Sequence, residues 1–377
     1  MWEAAVRRAR ELGHHVRVLT TDYRISSDIH DTDPEVHRTL RSYWDMHAYD
    51  FPTLSVRQRV AHERYNAREL QRHLDELRPD TVSWWSMGCV SLSLIERVRR
   101  AGIPASFVVH DDWLVYGRRF DQWIRLWRGR RKLLAPGAER LLGVATDVDL
   151  AGPGRFVFNS RYTLEAARRA GVDPPAAVVV PPGIEDGLEP LTPEPWRWRL
   201  LYIGRIDRQK GIETAVRALP HLPAEATLSV WGTGQDQYIE EMRSLARQLG
   251  VEGRVHFNGW AGPSERLAAY GEADVVVFPV RWDEPFGLVP LEAMAVGRPV
   301  VSTARGGSAE FLRHEDNALV FEADDAARLA ELVLRLAGDQ ALRERLRAGG
   351  LQTASRYTIG RFADRTVGEI VAAAVTP

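Results

Sequence analysis

One cysteine and two lysines are all that this 377-residue sequence contains of either type. The lone Cys89 cannot close an internal disulfide, so a disulfide-stapled secreted fold is excluded and a reduced, cytoplasmic setting is expected. No apolar run reaches the roughly 18 to 20 residues that would cross a bilayer. A net charge of -1 excludes the broad basic field of a nucleic-acid binder, and nucleic acid is not an expected partner. Repeats and low-complexity tracts are also missing. A length of 377 residues exceeds what one core organises and suits two α/β domains of roughly 150 to 200 residues each.

The scarcity of lysine has a second use. Lysine and arginine total 50, yet only Lys132 and Lys210 are lysines. An ammonium is a compact point charge and a guanidinium a planar fork, so a lysine kept among arginines directs attention to its surroundings. Lys132 lies in Arg128-Gly-Arg-Arg-Lys132 and reads as a surface residue. Lys210 lies in a different context.

The C-terminal half alternates short apolar runs, at Leu200–Ile203, Thr227–Trp231, Val255–Phe257, Val275–Phe278 and Pro299–Ser302, with segments of helical period such as Ile239–Leu249 and Ser264–Tyr270. That alternation builds a doubly wound parallel sheet, whose ligands sit at the carboxyl ends of its strands. The N-terminal half is less regular. Strands are expected at Val16–Thr20, Thr81–Trp85, Ala105–His110, Phe156–Phe158 and Ala177–Val180, with a long amphipathic helix over Val56–Leu77. Proline and glycine crowd residues 181–195, so we place a first lobe at 1–182, a linker at 183–198, a second lobe at 199–355 and a C-terminal helical segment, packing back on the first lobe, at 356–377. The chain opens on a helix ending at Gly13, where a doubly wound lobe would open on a strand and a Gly-rich turn.

Two loops carry the chemistry. Gly204-Arg205-Ile-Asp-Arg-Gln-Lys210-Gly211 follows a strand and opens a helix, so Arg205 and Lys210 bracket a turn where fixed cations and amides can hold a diphosphate. The second loop, Arg281-Trp-Asp-Glu284-Pro-Phe286-Gly287-Leu288, leads into a helix that carries Glu292. Carboxylates accept paired hydrogen bonds from sugar hydroxyls, and the amides of Phe286, Gly287 and Leu288 suit phosphate oxygens. The two carboxylates are expected to face one strand-end crevice.

The string Glu284-Pro-Phe-Gly-Leu through Leu291-Glu292-Ala-Met-Ala-Val-Gly297-Arg-Pro-Val-Val301 resembles the E-x7-E signature of glycosyltransferase family 4. Gly204-Arg205 with Lys210-Gly211, Pro182-Gly-Ile184, Val255-x-Phe-x-Gly259 and Arg305-Gly-Gly-x-x-Glu310 follow in the family's order, and Asn159-Ser160-Arg161 resembles a further landmark that an ordinary helix cap explains equally well. The resemblance implies the GT-B fold, two Rossmann-like lobes facing a cleft, the first here lacking its opening strand. It implies a retaining transferase that takes a sugar from a nucleoside diphosphate to a glycan, lipid-linked or small-molecule acceptor, with neither cofactor nor metal. Arg205 and Lys210 would neutralise the diphosphate, Glu284 would hold the transferred sugar, Glu292 the ribose, and Gly204 and Gly232 would admit the nucleotide. His110, closing a strand before Asp111 and Asp112, resembles the family histidine whose ring and carbonyl face the donor sugar.

Two departures stand out. Trp231-Gly232-Thr-Gly234-Gln235 lacks the proline that the family often carries after its second glycine. The absent first strand is the larger departure: either the start lies upstream of Met1, or the chain is a truncated, non-catalytic binder of sugar nucleotides. A third reading is a GT-B epimerase acting on the sugar nucleotide. Residues 120–132 interleave aromatics with cations and admit a peripheral contact with the inner membrane face, although a short surface helix burying its tryptophans and interrupted at Gly129 is the plainer reading.

Overall fold

Parallel strands buried on both faces need apolar runs without polar alternation, and this sequence supplies such runs twice. The computed structural model describes residues 1–22, 33–44, 51–150, 152 and 154–375. It divides into two units, Met1–Val180 with Phe362–Pro377, and Pro181–Arg361.

The first unit opens on the helix Trp2–Glu11 and continues through β1 (Val18–Thr21), β2 (Val36–Leu40), the helix Val56–Leu77, β3 (Val82–Trp85), β4 (Ala105–Val109), β5 (Arg155–Phe158) and β6 (Ala176–Val179). The long helix begins at a capping box in which Ser55 and Gln58 satisfy each other's backbone amides. All pairings are parallel: β1 with β2 in one sheet, and β3-β4-β5-β6 in a second, in plain sequential order. Leu40 of β2 is buried in the same core as Trp84, Phe107, Val109, Phe156 and Phe158 of the four-stranded sheet, and Leu19 of β1 packs against it. β2 was not expected, because Val36-His-Arg-Thr-Leu40 carries three polar residues between its apolar ends. Residues 120–132 contain two pieces, Gln122–Leu126 and the 3-10 turn Gly129–Leu133, parted at the expected interruption, where Gly129 takes a φ of 62°.

The second unit holds β7 (Arg199–Ile203), β8 (Thr227–Trp231), β9 (Val255–Gly259), β10 (Val275–Phe278), β11 (Val300–Ser302) and β12 (Leu319–Val320) in one parallel sheet of order β12-β11-β10-β7-β8-β9. Residues along each strand alternate between two cores. Leu200, Tyr202, Val275, Val277 and Val301 enter one, and Leu201, Val276 and Val300 the other. The two-residue β12 is too short for any periodicity to reveal. The sequence of pairing reverses between β10 and β7, so loops leaving these neighbouring strands open onto a topological switch point.

Residues 183–198 form no helix or strand, yet they are tied into the second unit: Ile184 N–H donates to Tyr357 O at 2.8 Å and Leu191 N–H to Val296 O at 3.1 Å. The helix Ile359–Val375 belongs to the first unit from Phe362 onward. There Phe362 packs its ring 5.4 Å from His110 and 6.4 Å from Trp85, and Arg365 donates to Val179 O.

A buried carboxyl lies inside the first unit. Glu63, with no exposed surface, accepts hydrogen bonds from Tyr43 Oη at 2.5 Å and Ser93 Oγ at 2.7 Å. Burial, reinforced by the charge of Asp121, pushes its pKa up to about 8. An unfolded glutamate titrates near about 4.3, so between those values the folded chain binds the extra proton and stability falls as pH rises. Denaturant melts at about pH 5 and about pH 8 should show this loss, and Glu63→Gln should reduce it by roughly 2–4 kcal/mol. An unchanged pH dependence in the variant would show that Glu63 does not hold the proton.

Candidate functional site

The site grows from backbone turns that only glycine permits. Gly204 follows β7 at a φ of 143°, and its N–H donates to Trp231 O at 2.9 Å. Gly232, at a φ of 147°, lies so close beneath it that a Cβ there would stand 1.8 Å from Gly204 O. Gly234 presses on Ile206 O in the same way, at 2.0 Å. The loops after β7 and β8 are therefore stacked backbone on backbone. Asp207 then caps the short turn Arg208–Lys210, accepting from Lys210 N–H at 3.0 Å, and Gly211, at a φ of 67°, packs against Pro279 O at the end of β10.

This packing brings Lys210 to Glu284. Lys210 Nζ lies 2.6 Å from Glu284 Oε2, and both side chains are largely buried. Trp282 Nε1–H donates to the same oxygen at 2.8 Å, and the ammonium stands 5.4 Å from the Trp282 ring and 5.9 Å from that of Phe278. The glutamate is thus fixed by two donors and the lysine by a carboxylate and two aromatic faces. A third loop holds the glutamate's main chain. Gly307 N–H donates to Glu284 O at 2.7 Å, while Cβ atoms on Gly306 and Gly307 would fall 2.4 Å from Glu284 O and 2.1 Å from Pro285 O. Ala304, just before them, takes a φ of 50°, and Arg305 reaches back to Asp283 at 3.0 Å.

The other expected residues separate into distinct surroundings. Arg205 is about half exposed and turns to Asp207 at 3.3 Å. Phe286 buries its ring against Phe311 and Tyr357, which leaves its main chain as the part able to meet a ligand. Gly287, at a φ of 93°, precedes the helix Leu288–Ala295, where Leu288 is the first residue. Glu292 on that helix does not share partners with Glu284. Its Oε2 accepts from Tyr270 Oη at 2.8 Å and its Oε1 from Arg266 at 3.3 Å, and Arg266 also reaches Glu185. Burial raises the Glu292 pKa, with Arg266 and Tyr270 opposing the rise.

His110 follows β4 in the first unit. Its carbonyl accepts from Asn159 Nδ2 at 2.8 Å, and its ring lies 5.6 Å from that of Trp85. Burial pushes its pKa down to about 4, so the imidazole is neutral at neutral pH, and its Nε2 is buried without a hydrogen-bond partner among the described residues. Asp111 accepts from Trp113 N–H and Tyr116 Oη, so it is engaged within its own turn. Sequence reasoning missed Trp282, Arg266, Tyr270 and the pressing of Gly306 and Gly307 on Glu284. The pair of adjacent glycines was the available signal for the last of these.

Two family models divide the chain. Residues 2–187 match "Glycosyltransferase Family 4" and residues 191–353 match "Glycosyl transferases group 1". The chain belongs to glycosyltransferase family 4. Among its relatives, this family 4 chain is 33% identical over 257 residues to the D-inositol 3-phosphate glycosyltransferase of Xylanimonas cellulosilytica, covering 61% of this chain and 60% of that one. It is 37% identical over 145 residues to an uncharacterized glycosyltransferase of Methanocaldococcus jannaschii, covering 38% and 37%. The matched stretches thus span between about a third and three fifths of these relatives' lengths. In fold it is similar to the sucrose-phosphate synthase of Thermosynechococcus elongatus, with a TM-score of 0.71 at 23% identity over 98% of this chain and 91% of that one. It is also similar to the Anabaena protein HepE crystallised with UDP-glucose, with a TM-score of 0.65 at 19% identity over 87% of each chain. The family 4 chain has the GT-B architecture of α/β lobes with parallel sheets.

The stacked loops of this family 4 chain predict a contrast between two glycines. Gly232→Ala must move the Gly204 backbone and should cost about 3 kcal/mol, whereas Gly253→Ala, with nothing within 4 Å of its added Cβ, should change stability by about 0.5 kcal/mol or less. Thermal melts of the two variants make the comparison. Equal melting temperatures would contradict the close approach.

Proposed function

We propose that this chain transfers a sugar from a nucleoside diphosphate to a hydroxyl-bearing acceptor, with retention at the anomeric carbon. The observation that carries the proposal is the Lys210–Glu284 pair, 2.6 Å apart, built from loops that follow the two strands flanking the switch point. A cation suited to phosphate and a carboxylate suited to sugar hydroxyls are adjacent there, as the two parts of a sugar nucleotide are adjacent in the donor.

In this reading Arg205 and Lys210 face the diphosphate, joined by the amides of Phe286, Gly287 and Leu288 at the start of the helix Leu288–Ala295. Glu284 accepts from hydroxyls of the transferred sugar and Glu292 from the ribose. Gly204 and Gly232 let the main chain approach the nucleotide. As the bond from the anomeric carbon to the phosphate oxygen breaks, negative charge grows on the phosphate. Cations fixed in place before reaction stabilise it where it develops, without a metal. The acceptor oxygen bonds to the same face of the anomeric carbon, and its proton passes to the departing phosphate oxygen.

The names of relatives agree with this class. Besides the inositol-phosphate enzyme, a GDP-mannose-dependent mannosyltransferase of Mycobacterium tuberculosis is 32% identical over 225 residues, covering 53% of this chain and 55% of that one. Nucleobase, sugar and acceptor differ among such names and are properties to be measured. A thermal-shift panel of UDP-, GDP-, ADP- and dTDP-sugars should reveal the donor, since a ligand at a hundred times its Kd stabilises the fold by about 2.7 kcal/mol. With that donor, Lys210→Ala and Glu284→Gln should each lower kcat/KM by about 100-fold or more while the unliganded chain still melts cooperatively. Binding of a donor without transfer to any acceptor would instead support a non-catalytic sugar-nucleotide binder, and unchanged transfer in both variants would remove the site assignment.

A further inference from the structure

Between Trp113 and Leu142 the first unit departs from the near-neutral charge balance of the whole chain. This stretch holds eight arginines and lysines against two acids, Asp121 and Glu139. Neither acid is available to balance that charge, and just beyond the stretch Asp147 pairs with Arg118 alone of the eight, at 3.0 Å. Asp121 is half-buried and accepts from Ser91 Oγ and from the N–H groups of Leu92, Trp123 and Ile124, and Glu139 is engaged by Arg100 and Thr146. All eight cations are exposed.

Apolar side chains stand among them. Trp123, Ile124 and Leu126 enter the core, as the plain reading of a surface segment requires. The residues that follow do not. Leu133 is 88% exposed, Leu134 67% and Leu141 83%, and Phe120 is 59% exposed with the Arg119 guanidinium 5.7 Å from its ring. Leu134 caps the helix Ala135–Leu142 and Leu141 lies two turns further along, so the pair shares one helix face. Singly exposed leucines are ordinary. Two of them directly after the run Arg130-Arg131-Lys132, with Leu141 on the same helix face as the second, form an amphipathic ledge.

We propose that residues 120–142 dock this protein on an anionic lipid surface, with Leu133, Leu134 and Leu141 entering the headgroup boundary and Arg130, Arg131 and Lys132 meeting the lipid phosphates. Two features select this occupant. A second copy of the chain would set eight more cations against the first eight, and like charges across a contact oppose it. A nucleic acid would satisfy the cations but leave the leucines in water. An anionic bilayer satisfies both, because basic residues near it are attracted by its surface potential while short apolar side chains reach the acyl boundary. Among the described residues no helix is long and apolar enough to cross a membrane, so the contact is interfacial. The ledge is separate from the residues assigned to the donor, and the proposal stands whether or not transfer is observed.

Vesicle co-sedimentation of the full chain tests it, using phosphatidylcholine alone and phosphatidylcholine with about one third phosphatidylglycerol. The chain should sediment with the anionic vesicles only, and the partition should weaken as salt is raised. Replacing Arg130, Arg131 and Lys132 by glutamine should lower the partition by about 100-fold. Replacing the three leucines by serine should lower it by at least about tenfold. Because all six side chains are exposed, melting temperatures and donor-induced thermal shifts should match the parent chain, which separates loss of docking from loss of fold. Equal binding to neutral vesicles, no binding to either, or sedimentation unaffected by both sets of substitutions would overturn the proposal. So would a dimer in light scattering that is lost with the leucines while vesicle binding is absent.

Discussion

A single reversal of strand order governs the second unit. With β7 and β10 paired side by side and the chain winding outward from each in opposite directions, the loops that leave these two strands converge where no crossover connection covers them. The Lys210–Glu284 pair is the chemical result of that reversal, since one residue follows β7 and the other follows β10. Paired charges out of water are tolerated when their geometry is good and additional hydrogen bonds satisfy the remaining lone pairs. Trp282 supplies such a bond, and Asp207, Gly211, Gly306 and Gly307 hold the main chain on both sides. Much of what reads as motif in this half is therefore the set of glycines that lets backbones touch.

The second unit was legible in the sequence because its strands are apolar runs and its turns are glycines, and both leave direct marks. Glu284 and Lys210 were found by their string and by the rarity of lysine, and the structure places them together. What the string did not convey is that Glu284 and Glu292 have separate partners, the second held by Tyr270 and Arg266 from the helix Pro263–Glu272. Such contacts join residues 22 and 26 positions apart, and nothing in local periodicity encodes them. The short β12 and the polar-rich β2 escaped for a related reason. A two-residue strand has no period, and His37 and Arg38 disguise a strand whose Leu40 nevertheless enters the core.

The first unit shows how far a local rule reaches. Alternating aromatics and arginines over residues 120–132 read as a short surface helix interrupted at Gly129, and Trp123, Ile124 and Leu126 are buried as that reading requires. The positive φ at Gly129 breaks the segment, and the turn and helix beyond it present leucines outward. In this unit Glu63 and His110 have pKa values displaced by burial toward their neutral forms.

The central claim, that Lys210 is a phosphate-binding cation at the switch point, can be tested directly because the chain has only two lysines. Lysine labelled with 15N at Nζ gives one signal from Lys210 and one from Lys132, the latter serving as an internal reference on the surface. Titration with UDP, GDP, ADP and dTDP in turn should shift and sharpen the Lys210 signal with the preferred nucleotide, as phosphate oxygens replace or join Glu284 around the ammonium, and leave Lys132 unmoved. A nucleotide that stabilises the fold yet leaves the Lys210 signal unchanged, or moves Lys132 instead, would contradict the account.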